Sequence, residues 1–218
     1  MSNGSPDVEA IGKLDPGQLI ELLERLDPAA EAIRSIDLDA IAASIDPTKI
    51  RKEEFVRLMA ALHRLTASGA PVDLGSVTPE VFARLIARAS KDQIDGLLER
   101  PELRRLVLDE IFLNRMPGHL RKDRAEKVRA VVNWRISGGD GEGGCDRYEM
   151  VVDGGVCTTR AGYAENARAT ITISPVEFIK LITSNASAPV LFMTGKLKVR
   201  GDLAFAAGLT GLFDLPRA

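Results

Sequence analysis

Residues 192–202 read FMTGKLKVRGD, and three physical readings compete for them. Gly195-Lys196 matches the end of a phosphate-binding loop, Arg200-Gly201-Asp202 spells an adhesion tripeptide, and Lys196 to Arg200 alternates charged with apolar side chains. A phosphate loop requires a glycine five residues ahead of the Gly-Lys pair and a Ser or Thr after the lysine. Val190 and Leu197 occupy those places, so that reading fails. The tripeptide works from an exposed loop of a secreted protein, and MSNGSPDVEA at the N-terminus has neither the basic nor the apolar region of a secretory signal. The strand reading uses every residue. Leu197 and Val199 turn inward, Lys196, Lys198 and Arg200 turn outward, Gly201 makes the turn and Asp202 opens a helix.

Upstream of that strand the same period of two recurs. Val132, Trp134 and Ile136 alternate with Asn133, Arg135 and Ser137; the glycine-rich turn GGDGEGG follows. Tyr148, Met150 and Val152 alternate up to Asp153-Gly154-Gly155, where the chain returns as a hairpin through Val156 to Arg160. Ala169, Ile171 and Ile173 alternate again. Ser174-Pro175 then caps a helix carrying Val176, Phe178, Ile179, Leu181 and Ile182, and residues 183–189 read as a loop. A last helix after Asp202 carries Leu203, Ala206, Leu209, Leu212 and Phe213. Ahead of all this, ELRRLVLDEIFLNRM reads as a helix begun by Pro101 and ended by Pro117-Gly118. The predicted order is helix, three strands, helix, strand, helix: an α+β unit with a mainly antiparallel sheet covered on one face.

Residues 1–100 obey a different grammar. Asp15-Pro16, Asp27-Pro28, Asp46-Pro47 and Thr78-Pro79 each set an N-cap oxygen before a proline at the first helical position, and Asp37 is a start of the same kind. Leu19, Leu22, Leu23 and Leu26, then Phe55, Met59 and Leu62, then Val81, Leu85 and Ile86 follow at helical spacing. The expected organisation is a disordered tail over 1–12, an all-α region over 13–100 and the α+β unit over 101–218.

Charge and composition exclude several classes. The 218 residues are 45% hydrophobic with a net charge of −2, so a nucleic-acid partner is not expected. The charge is uneven: residues 1–120 carry 15 basic and 20 acidic side chains, residues 121–218 carry 14 and 11. No apolar run approaches the roughly 18–20 residues that span a bilayer, and a cytoplasmic location is expected. Cys145 and Cys157 fall on two arms of one hairpin at different distances from its turn, so free thiols are expected. His63 and His119 have no carboxylate or cysteine at ligand spacing. The nucleophile-elbow, zinc-peptidase and Cys–His signatures are missing from the sequence. Neither a metal, a cofactor nor catalysis is expected.

The run 169–213, with its Thr-Ile-Thr-Ile strand, the helix bearing Phe178, the bracketed strand from Phe192 through Gly195, Leu197 and Val199 to Gly201-Asp202, and the apolar C-terminal helix, resembles the sterol carrier protein 2 family of lipid-binding domains. The resemblance extends more loosely over 101–218 and does not reach residues 1–100. It implies helices layered on a mixed, mainly antiparallel sheet, with an apolar cavity for a fatty acyl chain, acyl-CoA or sterol-like lipid. Such domains also occur fused to enzymes that act on apolar substrates. The candidate lining is Trp134, Tyr148, Met150, Ile171, Phe178, Ile182, Phe192, Met193, Leu197, Val199, Phe205, Leu209 and Phe213. For each of these, ordinary core packing competes with ligand contact. Lys196, Lys198 and Arg200, with Arg121, Lys122, Arg124, Lys127 and Arg129, are candidates to meet an anionic head group or an anionic membrane surface; a solvated face is the plainer account. The N-terminal helices are expected to dock a partner, cover the cavity or form a homodimer. A second reading makes the protein a scaffold module with a filled core, working through those helices.

Overall fold

The computed structural model describes residues 14–27, 37–68 and 74–216. The tail expected over 1–12 and the helix expected after Asp27-Pro28 lie outside the described residues. The chain divides into two compact units that meet between Leu106 and Val107.

In the N-terminal unit the helix starts follow local side-chain chemistry. Asp15 accepts from the Gln18 N–H at 2.9 Å while its own N–H donates to the Gln18 amide oxygen, a capping box that opens α1 (Pro16–Arg25). Asp37 caps α2 (Leu38–Ser44) through the Ala40 N–H. Asp46-Pro47 opens only a 3-10 turn (Pro47–Lys49); the long helix α3 (Lys52–Ala67) starts five residues later, where the Arg51 N–H donates to Glu54. Thr78 makes no side-chain cap bond, so Pro79 alone fixes the start of α4 (Pro79–Arg88). α5 (Lys91–Leu98) opens on a Ser90–Gln93 box.

Spacing of three and four places Leu19, Ile20 and Leu23 of α1 against Leu38 and Ile41 of α2 and Leu58, Leu62 and Leu65 of α3. Two polar side chains finish the packing. Arg64 donates from one guanidinium nitrogen to the carbonyls of Leu23, Glu24 and Leu26, covering the open end of α1. Gln93, buried, donates to the carbonyls of Pro47 and Ile50 at 2.9 and 2.6 Å.

The helix starting at Pro101 is not one regular element. α6 (Pro101–Asp109) continues as a π-helical segment (Glu110–Arg115) and a 3-10 turn (Met116–His119). Widening the helix there lets Glu110 accept from the Arg115 Nε at 2.9 Å, and the Phe112 carbonyl accepts from the Thr159 hydroxyl across the unit. A four-residue helix α7 (Lys122–Ala125) stands in the basic stretch.

The sheet comprises β1 (Arg129–Ser137), β2 (Cys145–Asp153), β3 (Val156–Ala161), β4 (Ala169–Ile173) and β5 (Leu197–Gly201) in the order β3-β2-β1-β4-β5. β1 and β4 run parallel; every other neighbouring pair is antiparallel. Four strands, not three, precede the next helix, because both arms of the hairpin at 153–156 are full strands. The crossover from β3 to β4 is pinned by Asn133, 1% exposed, whose amide donates to the Ala164 carbonyl at 2.8 Å and accepts the Ala164 N–H at 2.9 Å.

α8 (Pro175–Ile182) is capped by Ser174, which accepts from the Glu177 N–H. Residues 183–189 are not wholly a loop: α9 (Ala188–Met193) begins inside them and carries Phe192 and Met193 out of the strand expected there. Gly195, at φ 72°, turns the chain into β5. Gly201 closes β5 at φ 93°, and a Cβ there would stand 2.5 Å from the Arg168 carbonyl oxygen, so only glycine fits. α10 (Leu203–Gly208) is shorter than expected. The chain tightens into a 3-10 turn (Leu209–Leu212), and Phe213 leaves the helix to bridge Leu120.

Candidate functional site

Strand register decides which side chains share a face. Tyr148, Trp134, Ile171 and Val199 form one row across β2, β1, β4 and β5, and Ile136, Ile173 and Leu197 form the next. Over the β2–β1 half, aromatic rings roof this face. Phe112 stacks on Tyr148 at 4.1 Å and on Phe178 at 4.7 Å, and Trp134 meets Phe112 and Phe178 edge-on at 5.9 and 5.3 Å. Over the β4–β5 half the roof is thinner. There α8 offers Leu181, α9 offers Ala188, Pro189, Phe192 and Met193, and α10 offers Leu203, Ala206 and Ala207. With Leu209, Thr210 and the sheet residues Trp134, Ile171, Leu197 and Val199 they enclose a cavity of about 290 Å³.

The lining is almost wholly apolar. Its polar side-chain groups are the Thr210 hydroxyl and the Trp134 indole N–H, and that N–H is buried without a hydrogen-bond partner among the described residues. Such a wall offers dispersion and desolvation to a hydrocarbon rather than acid–base chemistry.

Of the candidate lining, the fold brings Trp134, Ile171, Phe192, Met193, Leu197, Val199 and Leu209 to the cavity. The others stand elsewhere for identifiable reasons. Tyr148 lies beneath Phe112, its hydroxyl donating to Asp109 at 2.7 Å. Met150 and Phe178 are fully enclosed at 0% exposure. Phe205 sits under the Arg168 guanidinium at 4.3 Å, Ile182 is half-buried at the end of α8, and Phe213 is drawn off by Leu120. Sequence reasoning overlooked Leu181, Pro189, Leu203 and the alanines 188, 206 and 207. It favours large side chains and passes over the alanines, which leave room beside them; the signal was the run Ala204-Phe205-Ala206-Ala207-Gly208 on a capped helix.

The basic candidates are dispersed. Lys196 is paired with Glu177 at 2.8 Å and Arg129 with Asp153 at 3.0 Å. Lys198 and Arg200 alternate with the inward Leu197 and Val199, so they stand on the other face of the sheet. Arg124 donates to the Gly211 carbonyl at 3.2 Å; Lys122 and Lys127 are exposed and Arg121 half-buried. Burial pushes the Cys157 thiol up to about 11, and both cysteines are free. Among the described residues no three His, Cys, Asp or Glu side chains are grouped as metal ligands, and no helix is long and apolar enough to cross a membrane.

Asp202 anchors the helix that forms one cavity wall. It accepts the Phe205 N–H at 2.8 Å and pairs with Arg168, and these contacts hold its carboxyl below the ordinary 3.8, the backbone bond contributing most. A carboxyl lowered in the folded state stabilises fully above its unfolded value, and that stability is lost as pH falls through the folded value. Wild type is therefore expected to melt above Asp202→Asn at neutral pH, with the gap closing as pH drops below about 4. A gap in melting temperature that stays constant through acid titration would reject the assignment.

A family model described as the SCP-2 sterol transfer family matches residues 112–214. A fatty acid-binding protein of Yarrowia lipolytica is 30% identical over 94 residues, which make up 42% of this chain and 73% of that protein. Among solved structures, apo sterol carrier protein 2 from Yarrowia lipolytica aligns with 51% of this chain and 88% of its own, at 22% identity and a TM-score of 0.38. The inverting sec-alkylsulfatase Pisa1 from Pseudomonas sp. aligns with 92% of this chain at 16% identity and a TM-score of 0.44; the chain spans 32% of that structure's length.

Proposed function

Because the chain belongs to the SCP-2 sterol transfer family, we propose that its C-terminal unit holds or transfers a hydrophobic lipid in the cavity beneath α9 and α10, without catalysis. The observation that carries this reading is the apolar void of about 290 Å³ against Trp134 and Ile171. Taking about 30 Å³ per methylene, near the share of a liquid water, it admits roughly ten methylenes. At about 0.8 kcal/mol each they contribute on the order of 8 kcal/mol before ordering and association losses. That favours a single acyl chain over the bulk of a sterol nucleus. The void also weighs against the scaffold reading, which needs side chains to fill that space. Residues 13–100 are assigned a separate docking, covering or dimerising role, and the protein a cytoplasmic one.

Trp134 is the chain's single tryptophan and stands in the cavity wall, 4% exposed. Titrating delipidated protein with a soluble acyl chain such as decanoate is expected to change its emission saturably at one ligand per chain. Flat emission, with no lipid recovered by organic extraction of freshly purified protein, would sink the reading.

A further inference from the structure

β5 is an edge strand: β4 lies on one side of it, and no described strand lies on the other. The Asp202 N–H donates to the Arg168 carbonyl at 2.9 Å and sets the phase of that pairing. Counting back along the ladder, Lys198 and Arg200 turn their backbone groups toward β4, opposite Thr172 and Thr170. Leu197 and Val199 therefore point their N–H and C=O groups outward, and these bond nothing among the described residues. Edges are commonly closed to pairing by a proline, a bulge or a charge aimed inward. β5 has none of these: its residues pair one to one with β4, and its inward side chains are Leu197 and Val199.

The side chains define what an added strand must carry. On the outer face Lys198 and Arg200 are exposed, and neither has an ion-pair partner among the described residues. Their cross-strand neighbours are Thr172 and Thr170, with Arg135 and Asn133 next on β1. The flanking pairs, Lys196 with Glu177 and Arg168 with Asp202, are each neutral, so the strip between them is cationic and uncompensated. On the inner face Met193 and Leu203, 77% and 50% exposed, line the same cavity as Val199. An apolar side chain set beside Val199 thus has apolar surface to cover. A second copy is a poor occupant. Two β5 strands paired antiparallel with faces matched would set Lys198 against Arg200, or each cation against itself, and like charges directly opposite repel.

We propose that the β5 edge takes up an extended segment of a partner protein, acidic on one face and apolar on the other, as an added strand. Its backbone closes hydrogen bonds with Leu197 and Val199, its carboxylates meet Lys198 and Arg200, and its apolar side chains lie beside Val199.

The test uses the full chain and two short labelled peptides, one alternating Glu with Val and the other Lys with Val. Fluorescence anisotropy reads affinity, and amide hydrogen exchange followed by NMR reads the backbone. Wild type is expected to bind the Glu peptide about tenfold more tightly than the Lys peptide. The double change Lys198→Glu with Arg200→Glu should reverse that order. At saturation the Leu197 and Val199 amides of wild type should exchange about tenfold more slowly. Those of Lys198 and Arg200, already bonded to β4, should change little. Equal affinity of wild type for the two peptides, or no binding of either, overturns the proposal, as does a folded double variant that keeps the wild-type preference. Binding of the Glu peptide that leaves the Leu197 and Val199 amides fast overturns it too, since charge alone then accounts for the complex. Protection of those two amides in peptide-free protein that grows with protein concentration assigns the edge to a second copy and likewise overturns it.

Discussion

Phe112→Ala is expected to destabilise the C-terminal unit by about 3–5 kcal/mol, the range for deleting a buried phenylalanine. Phe112 is 0% exposed and touches three other rings: it stacks on Tyr148 and Phe178 and meets Trp134 edge-on. Each good aromatic pair adds about 0.5–1.5 kcal/mol beyond area burial, which places the change toward the upper end. The site cannot collapse readily, because the π-helical segment is held from both sides. Thr159 donates to the Phe112 carbonyl and Arg115 pairs with Glu110. Urea unfolding provides the measure. Leu113→Ala, one residue along and 38% exposed, should shift stability by no more than about 1 kcal/mol. Similar shifts for the two variants would mean that the ring stack does not hold the roof.

This stack also shows where reading the sequence reached its limit. The strands were legible because alternation of Val132, Trp134 and Ile136, and of Ala169, Ile171 and Ile173, is a local property of the chain. So was the Asp202 cap, which needs only the N–H three residues on. Register is not local. Nothing near Trp134 says that Tyr148 and Ile171 flank it in one row, or that Phe112 covers the first and leaves the second at a void. Helical spacing alone therefore leaves Phe178 a candidate for the cavity, whereas register encloses it fully between Phe112 and Trp134.

Other differences have the same origin. The period of 3.6 in ELRRLVLDEIFLNRM cannot reveal a π segment, whose extra residue is compensated by a hydroxyl far along the chain, on Thr159. Residues 188–193 carry Ala-Pro before an apolar run, a helix start that the preceding Ser-Asn-Ala-Ser string obscured. In the N-terminal unit Asp46-Pro47 had the same signature as Asp15-Pro16. It stops after one turn because Gln93 takes up the carbonyls of Pro47 and Ile50 and directs the chain away.

Ala206→Phe provides the sharpest test of the void, because it separates loss of ligand from loss of fold. Ala206 is 8% exposed and its side chain borders the cavity from α10. A phenyl group there takes the space of about four methylenes, which at about 0.8 kcal/mol each removes roughly 3 kcal/mol of ligand binding, or about a hundredfold in affinity. Protein stability should hold or rise, since the ring fills empty apolar volume in place of the ligand. A drop in melting temperature with weakened uptake would mean that the void is already closed in solution and the ring overpacks it. Unchanged uptake with unchanged stability would place the ligand elsewhere. Only weakened decanoate binding in an undiminished fold fits a cavity built for a guest. It would also explain why α10 presents Ala206 and Ala207 where a closed core would use larger side chains.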